Sequence, residues 1–204
     1  MSGDLEDAMG RFADGDDAEL ARIYDLAAPP LYAFLVRLCR DRTLAEDLSH
    51  ETFLRVHGAR GTYRRGARVL PWMFAIGRRL FLDNIRRRRR EGPSLDAAGG
   101  DGERKSDAGI PAQGPSADEI SVARQLATRI EDLLAAMPET QATAFRLIKQ
   151  EHLTVAEAAA VLGTTETAVK VRAHRAYASL RRAIGRDWDL EGSGIRAQAE
   201  AEGT

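Results

Sequence analysis

Lys170, Val171, His174 and Arg175 bring two permanent cations, a titratable imidazole and an apolar branch together at spacings that share one face of a helix. With no nucleophile or paired carboxylate among them, their chemistry is recognition: hydrogen bonds to base edges, salt links to phosphates, and a methyl contact to thymine. That requires a rigid helix, and the flanking residues specify one. In T-V-A-E, Thr154 precedes Glu157 by three positions, a reciprocal cap that starts a helix over 154–162. Gly163 suits the left-handed residue that ends it. Thr165 then offers the N-cap of a second helix over 165–183, whose Val169, Ala173, Ala176 and Leu180 recur at three and four and face inward. Two short helices around a glycine turn, the second exposing cations, form a helix-turn-helix that fits a major groove. Its plainer alternative is a helical hairpin with a solvated basic face.

A second set lies upstream. Arg86 to Arg90 close an apolar segment that carries Trp72, Ile76 and Leu80 on one stripe, and Tyr63, Arg64, Arg65 and Arg68 precede it. Cations grip phosphates while aromatic surfaces receive unstacked bases, which is how single strands are held. Trp72, Phe74 and Phe81 also suit a core. One or two arginines are enough to complement a helix dipole, so the surplus calls for a polyanion.

The third set is acidic. With Leu44, Leu48, Phe53 and Val56 turned inward, Asp47, His50, Glu51 and Leu54 fall together on the outer face, an apolar group ringed by acids. Such a surface suits protein docking, although many solvated helices share the pattern.

These sets sit in a chain of 204 residues with formal net charge −1. The near-neutral total conceals segregation. Residues 60–90 hold 11 arginines against Asp83 alone, and residues 170–186 hold 6 cations and no acid, while residues 1–59 carry 12 acids and 6 bases. Two basic blocks in an otherwise acidic chain indicate two polyanion contacts along one ligand.

Helices are expected at 17–27, 30–39, 43–57 and 71–89, then at 118–136, 139–150, 154–162 and 165–183, with no strand alternation anywhere. Between the two groups, residues 92–118 contain six Gly and three Pro and no large aliphatic except Leu95 and Ile110. The expectation is therefore an all-α chain of two small helical domains, 8–90 and 119–186, joined by a flexible linker at 91–118, with an acidic disordered tail at 187–204.

Enzymatic chemistry finds little footing. Gly99 to Ser106 imitates a phosphate loop, but Arg104 stands where glycine should precede the lysine and no strand leads into it. His50 and His57 lie about 10 Å apart along a helix, too far to share a metal. No metal or cofactor is expected. The lone Cys39 excludes an intramolecular disulfide and suggests a reducing cytoplasm. No apolar run approaches the ~20 residues of a membrane span, so direct membrane insertion is not expected.

The ordered series A-E-D-L-S-H-E-T-F-L, W-M-F-A-I-G-R-R-L-F-L-D-N-I-R-R-R-R-R and L-T-V-A-E-A-A-A-V-L-G-T-T-E-T-A-V-K-V-R-A-H-R resembles bacterial sigma factors of the extracytoplasmic-function (ECF) group of the sigma-70 family, from about Leu20 to Ile184. The resemblance implies a region-two domain that binds core RNA polymerase and melts the minus-ten element, and a region-four domain that reads the minus-thirty-five element. On that basis Glu46, Asp47, His50, Glu51 and Leu54 would meet the beta-prime clamp, with His50 replacing the usual Gln. Tyr63, Arg64, Arg65, Trp72, Arg78, Arg79, Asp83, Arg86 and Arg87 would face the minus-ten DNA. Arg79 stands where relatives most often have Asn, and it can instead pair with Asp83 one turn on. Thr165, Thr167, Lys170, Val171, Arg172, His174 and Arg175 would face the minus-thirty-five duplex, with Arg172 on phosphate. The implied partners are core polymerase, through its beta-prime clamp and beta flap, promoter DNA, and an anti-sigma factor, often membrane-bound in this family. A sigma-like decoy and a polymerase-independent helix-turn-helix regulator are the alternatives; the first would not need the arginine block, and the second lacks a visible dimer seam.

Overall fold

The computed structural model describes the backbone of residues 2–91 and 117–201, and among them it is helical throughout its regular elements. The expected linker at 91–118 lies outside the described residues except at its two ends. The chain forms two compact units.

In the N-terminal unit, α1 (Ser2–Ala13), α2 (Glu19–Cys39), α3 (Arg42–Ala59) and α4 (Val69–Glu91) pack together, with a single 3-10 turn at Arg60–Thr62 between the last two. Helix α1 was not expected. Its Leu5, Ala8, Met9 and Phe12 recur at three and four and are all buried, so the acidic composition of the first residues masks an amphipathic stripe.

Helix α2 corrects a second expectation, that one helix ends near residue 27 and a separate one starts at Pro30. One helix runs straight through both Pro29 and Pro30. Each proline removes a backbone donor, a cost of about 3 kcal/mol inside a helix. Ile23, Ala27, Leu31, Phe34, Leu35 and Leu38 are nevertheless buried along one continuous stripe, and burial of an aliphatic or aromatic side chain returns about 1.5–3 kcal/mol. The prolines lie off that stripe, Pro29 exposed. The helix ends at Arg40, left-handed at φ 56°. The Asp41 carboxylate then accepts the Leu44 N–H at 3.0 Å and caps α3.

The core of this unit is built where α2, α3 and α4 meet. Phe34 and Phe74 stack with ring centroids 4.5 Å apart. Gly77 lets α4 approach α2 and α3 closely, since a β-carbon there would lie 3.1 Å from Thr52 Oγ1 and 3.2 Å from Leu35 Cδ2.

In the C-terminal unit, α5 (Ala117–Ala135), α6 (Glu139–Lys149) and α8 (Glu166–Ala201) pack around Leu134, Ala142 and Leu180, with Ile130, Leu133, Met137 and Phe145 against them. Arg146 is buried and donates to Glu131 at 2.8 Å, while Gln150 donates to the other carboxylate oxygen at 2.7 Å, fastening α6 to α5. Helix α7 (Val155–Leu162) precedes α8 in the chain; its first residues, to Ala158, group with this unit and Ala159–Gly163 with the N-terminal one. The helical backbone of α8 continues to Ala201, into the segment whose composition suggested a disordered tail. No described helix is long and apolar enough to cross a membrane.

Candidate nucleic-acid interface

The helix-turn-helix is built as its caps dictate. The Thr154 N–H donates to Glu157 Oε2 at 2.7 Å, and the Glu157 N–H returns to Thr154 Oγ1 at 3.2 Å. Gly163 takes φ 61°, and Thr165 Oγ1 accepts the Ala168 N–H at 3.2 Å. Thr165 is thus occupied as a cap, with Thr167 exposed beside it. Val169, Ala176 and Leu180 are buried and Ala173 is half-buried. Lys170, Val171, His174 and Arg175 are exposed together on the far side, Val171 at 44%, whereas Arg172 is half-buried at the flank. Tyr177, 52% exposed, continues that face by a turn and was not anticipated. The arrangement offers a donor-rich ridge with an apolar notch, suited to base edges and thymine methyls.

The arginine surface of the N-terminal unit has two parts. In the loop before α4, Arg64 and Arg65 are exposed, but Tyr63 is buried and its hydroxyl donates to the Ala67 carbonyl. Burial, with the Glu6 carboxylate as a lesser cause, pushes the Tyr63 phenol above its ordinary range. Trp72 is half-buried with its ring 5.7 Å from that of Tyr63, so part of it remains available to a stacked base. Along α4, Arg78 is half-buried, while Arg79, Arg86 and Arg87 are exposed. Asp83 pairs with Arg86 at 3.2 Å rather than with Arg79, which leaves the Arg79 guanidinium projecting.

On α3 the expected division of faces is present. Leu48, Phe53 and Val56 are buried and Leu44 is half-buried, whereas Glu46, Asp47 and His50 are exposed and Leu54 is 68% exposed. Glu51 is half-buried and pairs with Arg55 at 2.8 Å, which softens its charge. Sequence reasoning missed Tyr24. It is 46% exposed and packs on Phe53 with ring centroids 4.7 Å apart, adding a partly exposed aromatic group from α2 at the side of α3. Its position just off the buried stripe of α2 was the available signal.

The Sigma-70 region 2 family model matches residues 23–91, and the Sigma-70 region 4 model matches residues 127–180. RNA polymerase sigma factor CarQ of Myxococcus xanthus is 33% identical over 178 residues, covering 87% of this chain and 95% of that protein. The chain belongs to the sigma-70 family, in its ECF group. A relative named as an ECF RNA polymerase sigma factor, SigE of Mycolicibacterium smegmatis, is 31% identical across 83% of this sigma factor and 64% of its own longer sequence. Among solved structures, the sigma factor RpoE of Bartonella quintana, determined with the anti-sigma factor NepR, superposes with a TM-score of 0.61 at 26% identity over 81% of this chain and 96% of that one. CnrH, solved with the cytosolic domain of CnrY, shares the fold at TM-score 0.59 and 20% identity, over 89% and 97% of the two chains. Helices α2 to α4 thus correspond to region two of the sigma factor, and the second half of α5 through the first half of α8 to region four. As transcription initiation factors, members of this family are not enzymes.

Proposed function

We propose that this sigma factor binds core RNA polymerase and directs it to a specific set of promoters. Glu46, Asp47, His50, Glu51 and Leu54 dock on the beta-prime clamp. Arg64, Arg65, Arg79, Arg86 and Arg87 hold the opened minus-ten strand, with the exposed part of Trp72 beside them. Lys170, Val171, His174 and Arg175 read the minus-thirty-five duplex, while the domain carrying them rests on the beta flap. Polymerase supplies the catalysis, and the free factor binds promoters weakly.

The observation that carries this reading is Leu54, 68% exposed amid Asp47, His50 and Glu51. A leucine so exposed beside acids is costly to keep in water and useful at a docking face. Release from an anti-sigma factor in response to stress is part of the proposal, supported by the relative solved with an anti-sigma factor, RpoE with NepR.

The test is in vitro transcription from genomic fragments with purified core polymerase. New starts sharing upstream elements, abolished by Asp47→Arg and by the Lys170→Ala, Arg175→Ala pair, support the reading. Tight core binding without any start would instead identify a decoy, and DNA binding without core binding an independent regulator.

A further inference from the structure

Helix α1 and the turn after it lie upstream of residue 23, where the match to region two begins. They are nonetheless tied to the arginine loop between α3 and α4 at several points. Phe12 is fully buried, with its ring 5.7 Å from that of His57 and 5.2 Å beneath the Arg60 guanidinium. The Glu6 carboxylate accepts the Val69 N–H at 3.1 Å, at the start of α4. Gly15, at φ 104°, turns the chain sharply, and the Asp16 N–H closes the turn on the Arg11 carbonyl at 3.1 Å. Two acids are thereby carried over the loop: Asp14 accepts from Arg65, and Asp17 accepts from Arg60. Arg64, between them, is exposed and has no acidic partner among the described residues.

A guanidinium engaged by a carboxylate does not displace counterions from a phosphate until that pair opens. Both pairs can open, because Asp14 and Asp17 are 55% and 70% exposed and such surface links are weak. We propose that Asp14 and Asp17 are intramolecular competitors for nucleic-acid phosphate and set the affinity of the arginine loop. Arg64 is presented freely, whereas Arg60 and Arg65 are yielded only to a ligand whose phosphates are dense enough to displace both carboxylates. The proposal rests on the reading of this loop as part of the strand-holding surface.

The experiment measures binding of the full-length protein to a fluorescent single-stranded oligodeoxynucleotide of mixed sequence, by anisotropy across a salt series. Asp14→Asn with Asp17→Asn is expected to tighten binding by about 3- to 10-fold at low salt. It should also steepen the logarithmic salt dependence by about 1.4, two further phosphates at ~0.7 each. In an Arg60→Ala, Arg65→Ala background the same asparagines should change nothing, since their effect passes through those arginines. An equal gain in both backgrounds would reveal only a loss of negative charge and overturn the proposal, as would no gain or a loss in the wild-type background. Failure of the underlying reading shows separately, as unchanged binding on Arg64→Ala with Arg86→Ala. Absence of binding by wild type and asparagine variant alike, even at the lowest salt, overturns the competitor proposal alone, since a factor that needs polymerase to engage promoters binds weakly by itself.

Discussion

Gly77 of α4 sits so close to Thr52 of α3 that a β-carbon on the glycine would lie 3.1 Å from the threonine hydroxyl oxygen. That hydroxyl is fully buried and already donates to the Leu48 carbonyl at 2.6 Å, so it has little freedom to retreat. Gly77→Val is therefore expected to destabilise the N-terminal domain by about 1–3 kcal/mol, as overpacking in cores does. Urea denaturation followed by circular dichroism measures it, and an unchanged midpoint would show that the helices can part without cost.

Leu54 presents the opposite case, a large side chain with little to lose on truncation in the free protein. Leu54→Ala should leave stability within about 0.5 kcal/mol of wild type and weaken association with core polymerase by 10-fold or more, as loss of about 1.4 kcal/mol would do. Native mass spectrometry or fluorescence titration with core enzyme checks the second effect, and a melting curve the first. Tyr24→Ala should weaken association in the same direction.

For the recognition face, phosphate binding and base reading can be told apart by salt. Removing one cation that neutralises a phosphate of duplex DNA lowers the logarithmic salt slope by about 0.9. Lys170→Ala and Arg175→Ala are expected to weaken holoenzyme binding to its promoter. Whichever touches a base should also relax sequence preference at one position of the upstream element, costing about 1–3 kcal/mol against the matched site. Arg172→Ala, at a half-buried flank position, should have the smaller effect on sequence preference.

The turn between α7 and α8 has its own test. Gly163 holds φ 61°, a conformation that costs an L side chain roughly 1–2 kcal/mol. Gly163→Ala should lower the stability of the C-terminal domain by about that much, and Thr165→Ala by about 1 kcal/mol through loss of the Ala168 cap. Hydrogen exchange over α7 and α8 would localise both losses; equal protection in wild type and variants contradicts the assignment.

Cys39 is half-buried, and its thiol donates to the Leu35 carbonyl at 3.0 Å. Burial pushes its pKa above the ordinary thiol range. Since the folded state favours the neutral form, the associated stability is present below the ordinary thiol pKa and declines as pH rises through and beyond it. Alkylation by iodoacetamide near neutral pH should be slower in the native protein than in urea, because the thiolate is the nucleophile. Equal rates would rule out protection by the fold.

What the sequence disclosed was mostly what neighbours decide. The Thr154–Glu157 cap, the Gly163 stop and the Thr165 cap involve residues within a few positions of one another, and each appears as expected. The outward placement of Leu54 follows from helical periodicity alone. Pro29 and Pro30 misled because a local breaker was overridden by a buried stripe running from Ile23 to Leu38. Asp83 chose Arg86 over Arg79, and the choice between neighbours three and four residues away rests on rotamers that spacing does not determine. Asp14 and Asp17 reach arginines 51 and 43 residues away, a relationship no local pattern contains.

The reciprocal cap at Thr154 has a kinetic consequence. Starting a helix is its expensive step, because several residues must be ordered for the first hydrogen bond. Thr154 and Glu157 satisfy one another's amides across a single turn, and so lower that barrier without help from distant chain. Small helical domains, whose contacts are more local than those of sheet proteins, fold in microseconds to milliseconds. The DNA-reading half of the protein is accordingly equipped to recover quickly after transient unfolding, before slower encounters with other unfolded chains can trap it.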